Sequence, residues 1–157
     1  MQYNVDKQGN IYLGDTALGD RLATQAEIDA HDLTQARAAK IAEMSAMCKS
    51  VAEADYIVAN PLGTGVAYTY PNKWQYDQVN LIGQCCAAID NPAGTFYFKC
   101  KNNTTGVWAD VAHTSAQIRA VGQISRAQVE AAKVRNTQRY DAIMAATTVA
   151  AINAVVW

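Results

Sequence analysis

Two spacings of hydrophobic residues predict the strands and helices of this chain. Phe96, Phe98 and Cys100 alternate with more polar neighbours, which is the period-two pattern of a half-buried strand. After a polar turn at 102–106, a second strand is predicted over Val107–Val111, so the pair should form a hairpin. A shorter strand is predicted over Val66–Tyr70.

Spacings of three and four residues predict two helices in the first two thirds of the chain. One runs from about Thr34 to Ala59, and a short helix near Ala26–His31 precedes it, opened by the capping-box sequence Thr24 to Glu27. The apolar face of the longer helix consists of Leu33, Ile41, Met44, Cys48 and Val51. The other helix is predicted over Trp74–Ile89, and its apolar side consists of Val79, Ile82, Cys86 and Ile89.

The segment from His113 to Trp157 contains no proline, and its only glycine is Gly122. It opens with a second capping-box sequence, Thr114 to Gln117, whose hydroxyl and amide can satisfy backbone N–H groups at a helix start. We therefore predict one continuous helix, about 60 Å long at its usual rise per residue.

The end of that segment, Ala145–Trp157, is almost entirely apolar. It falls well short of the roughly 20 residues that cross a bilayer, so we expect it to be sheltered by another polypeptide. The predicted protein interface comprises Tyr140, Ile143, Val149, Ile152, Val155, Val156 and Trp157.

These elements predict an α+β fold. A small antiparallel hairpin or sheet packs with helices, beside an N-terminal hairpin over residues 2–13 and the long C-terminal helix. We expect three parts: an attachment segment of hairpin and short helix at 1–32, an α+β domain at 33–135, and the apolar helix end at 136–157.

The charge of the chain argues against a dedicated nucleic-acid binder, because the formal net charge is −1. Arg119, Arg126 and Lys133 nevertheless recur every seven residues in the predicted C-terminal helix, opposed only by Glu130. This basic stripe is either a solvated helix face or a site for an acidic protein partner, and both interpretations stay open.

Residues that could carry out catalysis or bind metals lack a recognised spacing. The cysteines show no Cys-x-x-Cys pair and no disulfide framework, so we expect reduced, structural thiols in a protein made in the cytosol. Asp29 and Asp32 flank His31, and a solvated helix end explains them better than an acid–base site does. We therefore predict no enzymatic activity, no metal and no cofactor.

Four aromatic residues cluster in sequence and permit two interpretations. They could form a sugar-binding platform, or they could pack in the core with their polar tips at the surface, which we favour. They are Tyr68, Tyr70, Trp74 and Tyr76.

Several short motifs then stand in an order and spacing typical of a known family. They are Tyr70-Pro71, Asp77 to Gly83, Gly106-Val107-Trp108 and His113 to Ile118, preceded by the basic, alanine-rich stretch Ala36 to Ile41. Over about residues 33–135 the chain resembles a domain of unknown function found in tail proteins of tailed bacteriophages and prophages. The resemblance supplies no catalytic residue. The structural motif residues are Tyr70, Trp74, Asp77, Asn80, Trp108, Thr114 and Gln117.

Two of these motif residues have predicted structural roles. Asp77 should stabilise the start of its helix through the helix dipole, and Asn80 should hydrogen-bond to the neighbouring hairpin.

The resemblance implies a non-enzymatic structural component of a phage tail, from the baseplate or the tail fibre. The alternative is a tail-fibre assembly chaperone that is not retained in the particle. Other tail proteins are the implied partners, in the virion tail, after synthesis in the host bacterial cytoplasm; neither nucleic acid nor membrane is expected. A homo-oligomer is also implied, and a trimer is compatible with the resemblance although the sequence sets no symmetry. A hydrolase of cell-wall sugars would need a pair of suitably placed acids, which the sequence does not show.

Overall fold

A computed structural model describes residues 2–157 of the chain as two compact units. Unit 1 contains the residues up to Ala46 together with Asn136–Trp157, and unit 2 contains Met47–Arg135. The two long helices, α1 (Gln25–Ala52) and α3 (Ser115–Ala145), contribute residues to both. The fold is α+β, as predicted, with two antiparallel sheets and a long C-terminal helix.

The sheet of unit 1 contains the predicted N-terminal hairpin. Strands β1 (Tyr3–Val5) and β2 (Ile11–Leu13) pair antiparallel, and Gly9 provides the positive φ of 90° that their turn requires. A third strand, β3 (Arg21–Leu22), pairs with the other side of β1 and was not predicted.

Helix α1 replaces two predicted helices, because neither glycine nor proline interrupts the chain between them. Its capping box forms as predicted: the Thr24 N–H donates to Glu27 Oε2 at 2.8 Å, and the Glu27 N–H donates to Thr24 Oγ1 at 3.3 Å. The helix ends at Ala52, earlier than predicted. Residues of the predicted last turns form strand β4 (Tyr56–Val58) instead, since they pair with a neighbouring strand.

Side-chain amides satisfy the carbonyl groups at the end of α1. Gln128 Nε2 donates to the carbonyls of Val51 and Ala54, at 2.9 and 2.7 Å. Asn72 Nδ2 donates to the Ala52 carbonyl at 2.8 Å. The last carbonyls of a helix have no partner inside it, so these amides stabilise the point where α1 stops.

The sheet of unit 2 follows the order β4-β5-β6-β7, with every pair antiparallel. Strand β5 is Tyr68–Tyr70, and β6 (Thr95–Asn102) and β7 (Trp108–Thr114) form the predicted hairpin. Phe96, Phe98 and Cys100 are buried as their alternation predicted. The core comprises Tyr56, Tyr68, Tyr70, Leu81, Ala88, Phe96, Phe98, Cys100, Ile118 and Val121.

Besides the end of α1, three helical elements complete unit 2. A π-helical turn (Trp74–Gln78) leads directly into α2 (Val79–Asp90), and together they match the helix predicted there. The first residues of α3 follow β7 through the predicted capping box, in which the Thr114 N–H donates to Gln117 Oε1 at 2.8 Å and the Gln117 N–H donates to Thr114 Oγ1 at 3.3 Å.

The prediction of one continuous helix from His113 to Trp157 is wrong at both ends. His113 belongs to β7, and α3 stops at Ala145. After an extended break at Thr148, a short helix α4 (Val149–Asn153) begins, and Thr148 Oγ1 caps it by accepting from the Ala151 N–H at 3.1 Å. Threonine caps a helix better than it extends one, so the chain turns at this point.

The apolar C-terminal segment packs against its own chain in unit 1. Ile143 and Ile152 are fully buried with Met44 of α1, and Val155 and Trp157 pack against the same cluster. Arg37 Nη2 donates to the Ala146 carbonyl at 2.8 Å and so satisfies the end of α3. The expectation that another polypeptide must shelter this segment is therefore wrong: Ile143 and Ile152 are interior residues.

We predict that Ile152→Ala lowers the free energy of unfolding of unit 1 by about 2–5 kcal/mol, because it leaves a cavity beside Met44. Val156→Ala, at a side chain that is 67% exposed, is the control and should change it by less than about 0.5 kcal/mol. Urea unfolding followed by circular dichroism measures both. If both variants changed the free energy of unfolding equally, Ile152 would not be packed in the core of unit 1.

The burial of His113 should make the stability of unit 2 depend on pH. The His113 Nδ1–H donates to the Val111 carbonyl at 2.8 Å, and its Nε2 lies 2.8 Å from the Tyr70 hydroxyl, which donates to it when the ring is neutral. Burial lowers the pKa of His113 below its ordinary value. Between that value, about 6.5, and the lower folded pKa, only the unfolded state binds the proton.

Stability of unit 2 should therefore fall as the pH drops below about 6.5, by up to about 1.4 kcal/mol per pH unit. His113→Gln should be less stable at pH 7 but should lose this part of the pH dependence. Urea titrations at a series of pH values measure the slope. A slope that survives in His113→Gln would assign the pH dependence to other groups.

Candidate protein-binding groove between α2 and α3

Helix α2 carries two apolar rows, and only one of them faces the core. Leu81 and Ala88 are buried with Cys85 packed beside them, toward the sheet and α3. The row identified from the sequence lies outside: Ile82 is 55% exposed and Ile89 is 61% exposed. Its members are Val79, Ile82, Cys86 and Ile89.

Gly122 lies where the inner row of α2 approaches α3. A Cβ atom at this position would lie 2.5 Å from Cys85 Sγ and 4.0 Å from Leu81 Cγ, so α2 approaches α3 where α3 has no side chain. The Cys85 thiol also donates to the Ile118 carbonyl at 3.4 Å. With Leu81 and Cys85 held against α3, the neighbouring row of α2 stays exposed beside this contact.

A groove of about 460 Å³ opens between the two helices within unit 2. Its α2 side is mostly apolar, formed by Leu81, Ile82, Cys85, Cys86 and Ile89 together with Trp74 and Gln78 from the preceding turn. Its α3 side is more polar, formed by Arg119, Gly122, Gln123, Ser125, Arg126, Val129, Glu130 and Lys133.

The π-helical turn places Trp74 at the groove. The Lys73 carbonyl accepts from the Gln78 N–H at 3.1 Å, which widens this turn by one residue. Gln78 is buried, and its Nε2 donates to the Asn72 carbonyl at 2.8 Å, whereas the Trp74 side chain stays 55% exposed. An exposed tryptophan beside an apolar row is typical of a binding surface.

All three residues of the basic stripe line this groove. The seven-residue spacing keeps Arg119, Arg126 and Lys133 on one face of α3, close to two turns apart. Arg126 Nε lies 2.7 Å from Glu130 Oε1, in an ion pair whose side chains are mostly exposed. An exposed pair of this kind stabilises a helix only weakly, so Arg126 can exchange partners.

The remaining motif residues have structural positions. Asp77 Oδ2 accepts from the Lys73 N–H at 2.9 Å and so stabilises the start of the turn, in agreement with its predicted role. The Asn80 side chain is exposed and forms no hydrogen bond among residues 2–157, so its predicted bond to the hairpin is wrong. Trp108 is partly exposed on β7, with Lys101 Nζ 5.8 Å from its ring centre.

The four clustered aromatic residues do not form one sugar-binding platform. Tyr68 and Tyr70 are buried in the core, while Trp74 and Tyr76 are exposed. Core packing is therefore correct for the first two only, and the Tyr70 hydroxyl lies at buried His113 and not at the surface as predicted. The predicted interface residues of the C-terminal segment divide similarly: Tyr140, Val149 and Val156 are exposed in unit 1, and the others are buried or half-buried.

Two of the four thiols and both histidines have contacts within the fold. Burial raises the pKa of Cys85 above its ordinary value and that of Cys100 to about 11, so both thiols are protonated at neutral pH. His113 is hydrogen-bonded to Tyr70 and Val111, and His31 contacts the Tyr3 ring.

Within residues 2–157, no group of three His, Cys, Asp or Glu side chains is placed to hold a metal ion. No helix in the same residues has the length and apolarity to cross a membrane.

Sequence reasoning missed the groove although it identified both of its walls. The outer row of α2 was recognised as one apolar side, and the stripe of α3 as one basic face. The signal that links them is the second row, Leu81-Cys85-Ala88, together with the isolated Gly122. A helix with two apolar rows and a glycine opposite one of them has its other row exposed.

We predict that Gly122→Ala lowers the free energy of unfolding of unit 2 by about 1–3 kcal/mol, because the new methyl group meets Cys85 Sγ. In a Cys85→Ala background the nearest atoms lie 3.9 Å away or more, and the penalty should fall below about 0.5 kcal/mol. Denaturant unfolding of the four proteins gives the coupling. Additive effects would show that α2 and α3 do not touch here.

Comparison with known proteins places this sequence in a family. No curated protein and no solved structure matches the chain. Residues 35–156 match the family described as a domain of unknown function (DUF4376), and the match includes both helices of the groove and the C-terminal segment. Since it covers most of the sequence, the chain belongs to this family of domains of unknown function.

Proposed function

We propose that this protein is a non-enzymatic structural component of a bacteriophage tail, and that it binds a neighbouring tail protein through the groove between α2 and α3. The exposed apolar wall of that groove is the observation that carries the proposal. The phage setting rests on the motif resemblance alone, from Tyr70-Pro71 to the His113-Thr114 helix start.

The groove has the composition of a protein interface. Trp74, Ile82 and Ile89 are each more than half exposed and line one open cleft. Covering the exposed part of such a side chain contributes roughly 1 kcal/mol. A compact group of aromatic and aliphatic residues bordered by arginine is the usual anatomy of a binding hot spot.

The lining favours binding over catalysis. Glu130 is the one carboxylate among the lining residues, and it forms an ion pair with Arg126. The Cys85 thiol is protonated and points at the Ile118 carbonyl. These groups can recognise a surface, but they do not form a nucleophile and base in contact.

The C-terminal segment no longer supports the proposal. Its large apolar residues Ile143 and Ile152 are covered by α1 within unit 1, so the contact with a neighbour is assigned to unit 2. Other tail proteins remain the proposed partners, and a homo-oligomer within the tail remains a prediction of the resemblance.

Ile82→Glu should remove the protein from purified phage particles while leaving it soluble and folded. The carboxylate would be buried against an apolar partner surface, and the cost should reduce incorporation by about tenfold or more. Mass spectrometry of particles, together with circular dichroism of the purified variant, measures both properties.

Val134→Glu is the matched control, because Val134 is also a β-branched helix residue of unit 2, is 58% exposed and lies outside the groove. It should be incorporated like the unaltered protein. Equal incorporation of both variants would exclude the groove as the contact. Absence of the unaltered protein from particles that require it would instead indicate an assembly chaperone.

A further inference from the structure

The shape of the groove suits an extended occupant. Its lining runs from Leu81 to Ile89 along α2 and from Arg119 to Lys133 along α3. At about 1.5 Å per residue these distances are about 12 and 21 Å. A cleft of this length, open to solvent along two helices, fits a segment of polypeptide better than a compact small molecule.

The two sides of the groove differ in chemistry along that whole length. The α2 side presents Ile82, Cys86 and Ile89, with Trp74 at the preceding turn. The α3 side presents Arg119, Arg126 and Lys133 at intervals of about 10.5 Å, which is two helical turns. An occupant must therefore be apolar on one flank and negatively charged on the other.

A helix meets this requirement more simply than a strand. Residues seven apart lie on the same side of an α-helix, so acidic residues at that spacing would align with the basic stripe. Apolar residues at i, i+3, i+4 and i+7 would form the adjacent flank. Successive side chains of a strand alternate between opposite faces, which would separate the two flanks by the width of the chain.

We propose that the groove binds an amphipathic α-helix of the partner protein that carries acidic residues along the flank facing Arg119, Arg126 and Lys133. This inference rests on the proposed function and specifies its partner. On binding, Arg126 exchanges its weak exposed pair with Glu130 for a carboxylate of the partner. Leucine-sized side chains of the partner cover Trp74, Ile82 and Ile89.

A pair of synthetic helical peptides of about 15 residues tests this, because Arg119–Lys133 spans that length and three glutamates at seven-residue spacing fit within it. Both carry leucine at i, i+3, i+4 and i+7. One has glutamate on the adjacent flank at seven-residue spacing, and the other has glutamine there. Fluorescence anisotropy of the labelled peptides with the full chain measures their affinities at low and high salt.

The glutamate peptide should bind about tenfold more tightly than the glutamine peptide at low salt, since about three exposed ion pairs contribute. The difference should largely disappear near 1 M salt, where charges are screened within about 3 Å. Arg119→Gln combined with Lys133→Gln should weaken the glutamate peptide several-fold and leave the glutamine peptide unchanged. The control Lys99→Gln with Lys101→Gln makes the same charge change on β6 and should alter neither affinity.

Equal affinities of the two peptides would overturn the acidic character of the partner and leave the groove as an apolar contact. If neither peptide binds while Ile82→Glu still prevents incorporation into particles, the helical occupant is wrong and the proposed function stands. Stripe-dependent binding of a single-stranded oligonucleotide in place of the glutamate peptide would identify a nucleic-acid site and overturn the inference. Self-association that the Arg119 and Lys133 substitutions abolish would overturn it in favour of a second copy of this chain.

Discussion

The contact of α2 with α3 at Gly122 is the constraint on which the proposed binding surface depends. Helix α2 has two apolar sides, and only one of them is buried. The absence of a side chain at Gly122 leaves room for Cys85, and Leu81 and Ala88 of the same row are buried in the core. The row with Ile82 and Ile89 is therefore left outside, opposite the charged face of α3. The close approach of the helices at Gly122 is thus accompanied by an apolar groove with a basic border.

Both long helices end where side chains from distant segments satisfy their carbonyl groups. Gln128 and Asn72 do this for α1 in unit 2, and Arg37 does it for α3 in unit 1. The turn after α3 then brings Ile152 onto Met44 and hides the apolar segment from water. An apolar segment needs no second protein to cover it when a helix of the same chain provides an apolar face. The functional surface must then be sought among residues that stay exposed after this packing.

Local signals predicted much of the fold because their energetics are local. Both capping boxes form, and the alternation at Phe96, Phe98 and Cys100 is buried as expected, since a strand has only two sides to choose from. The errors arose where tertiary contacts decide: Tyr56–Val58 pairs with β5 although it continues a helical pattern. Thr148 stops a helix that alanine-rich neighbours would otherwise extend. The groove was hidden from sequence for the same reason, because periodicity identifies the rows of α2 but only the contact with Gly122 selects the buried one.

A density map of the phage particle proposed to contain this protein is the most direct test of the groove as a binding site. In that map we expect another polypeptide to cover Trp74, Ile82 and Ile89. We also expect Ile152 to remain packed on Met44 of the same chain. A groove that stays open to solvent in the assembly, with the neighbours docked elsewhere, would contradict this proposal.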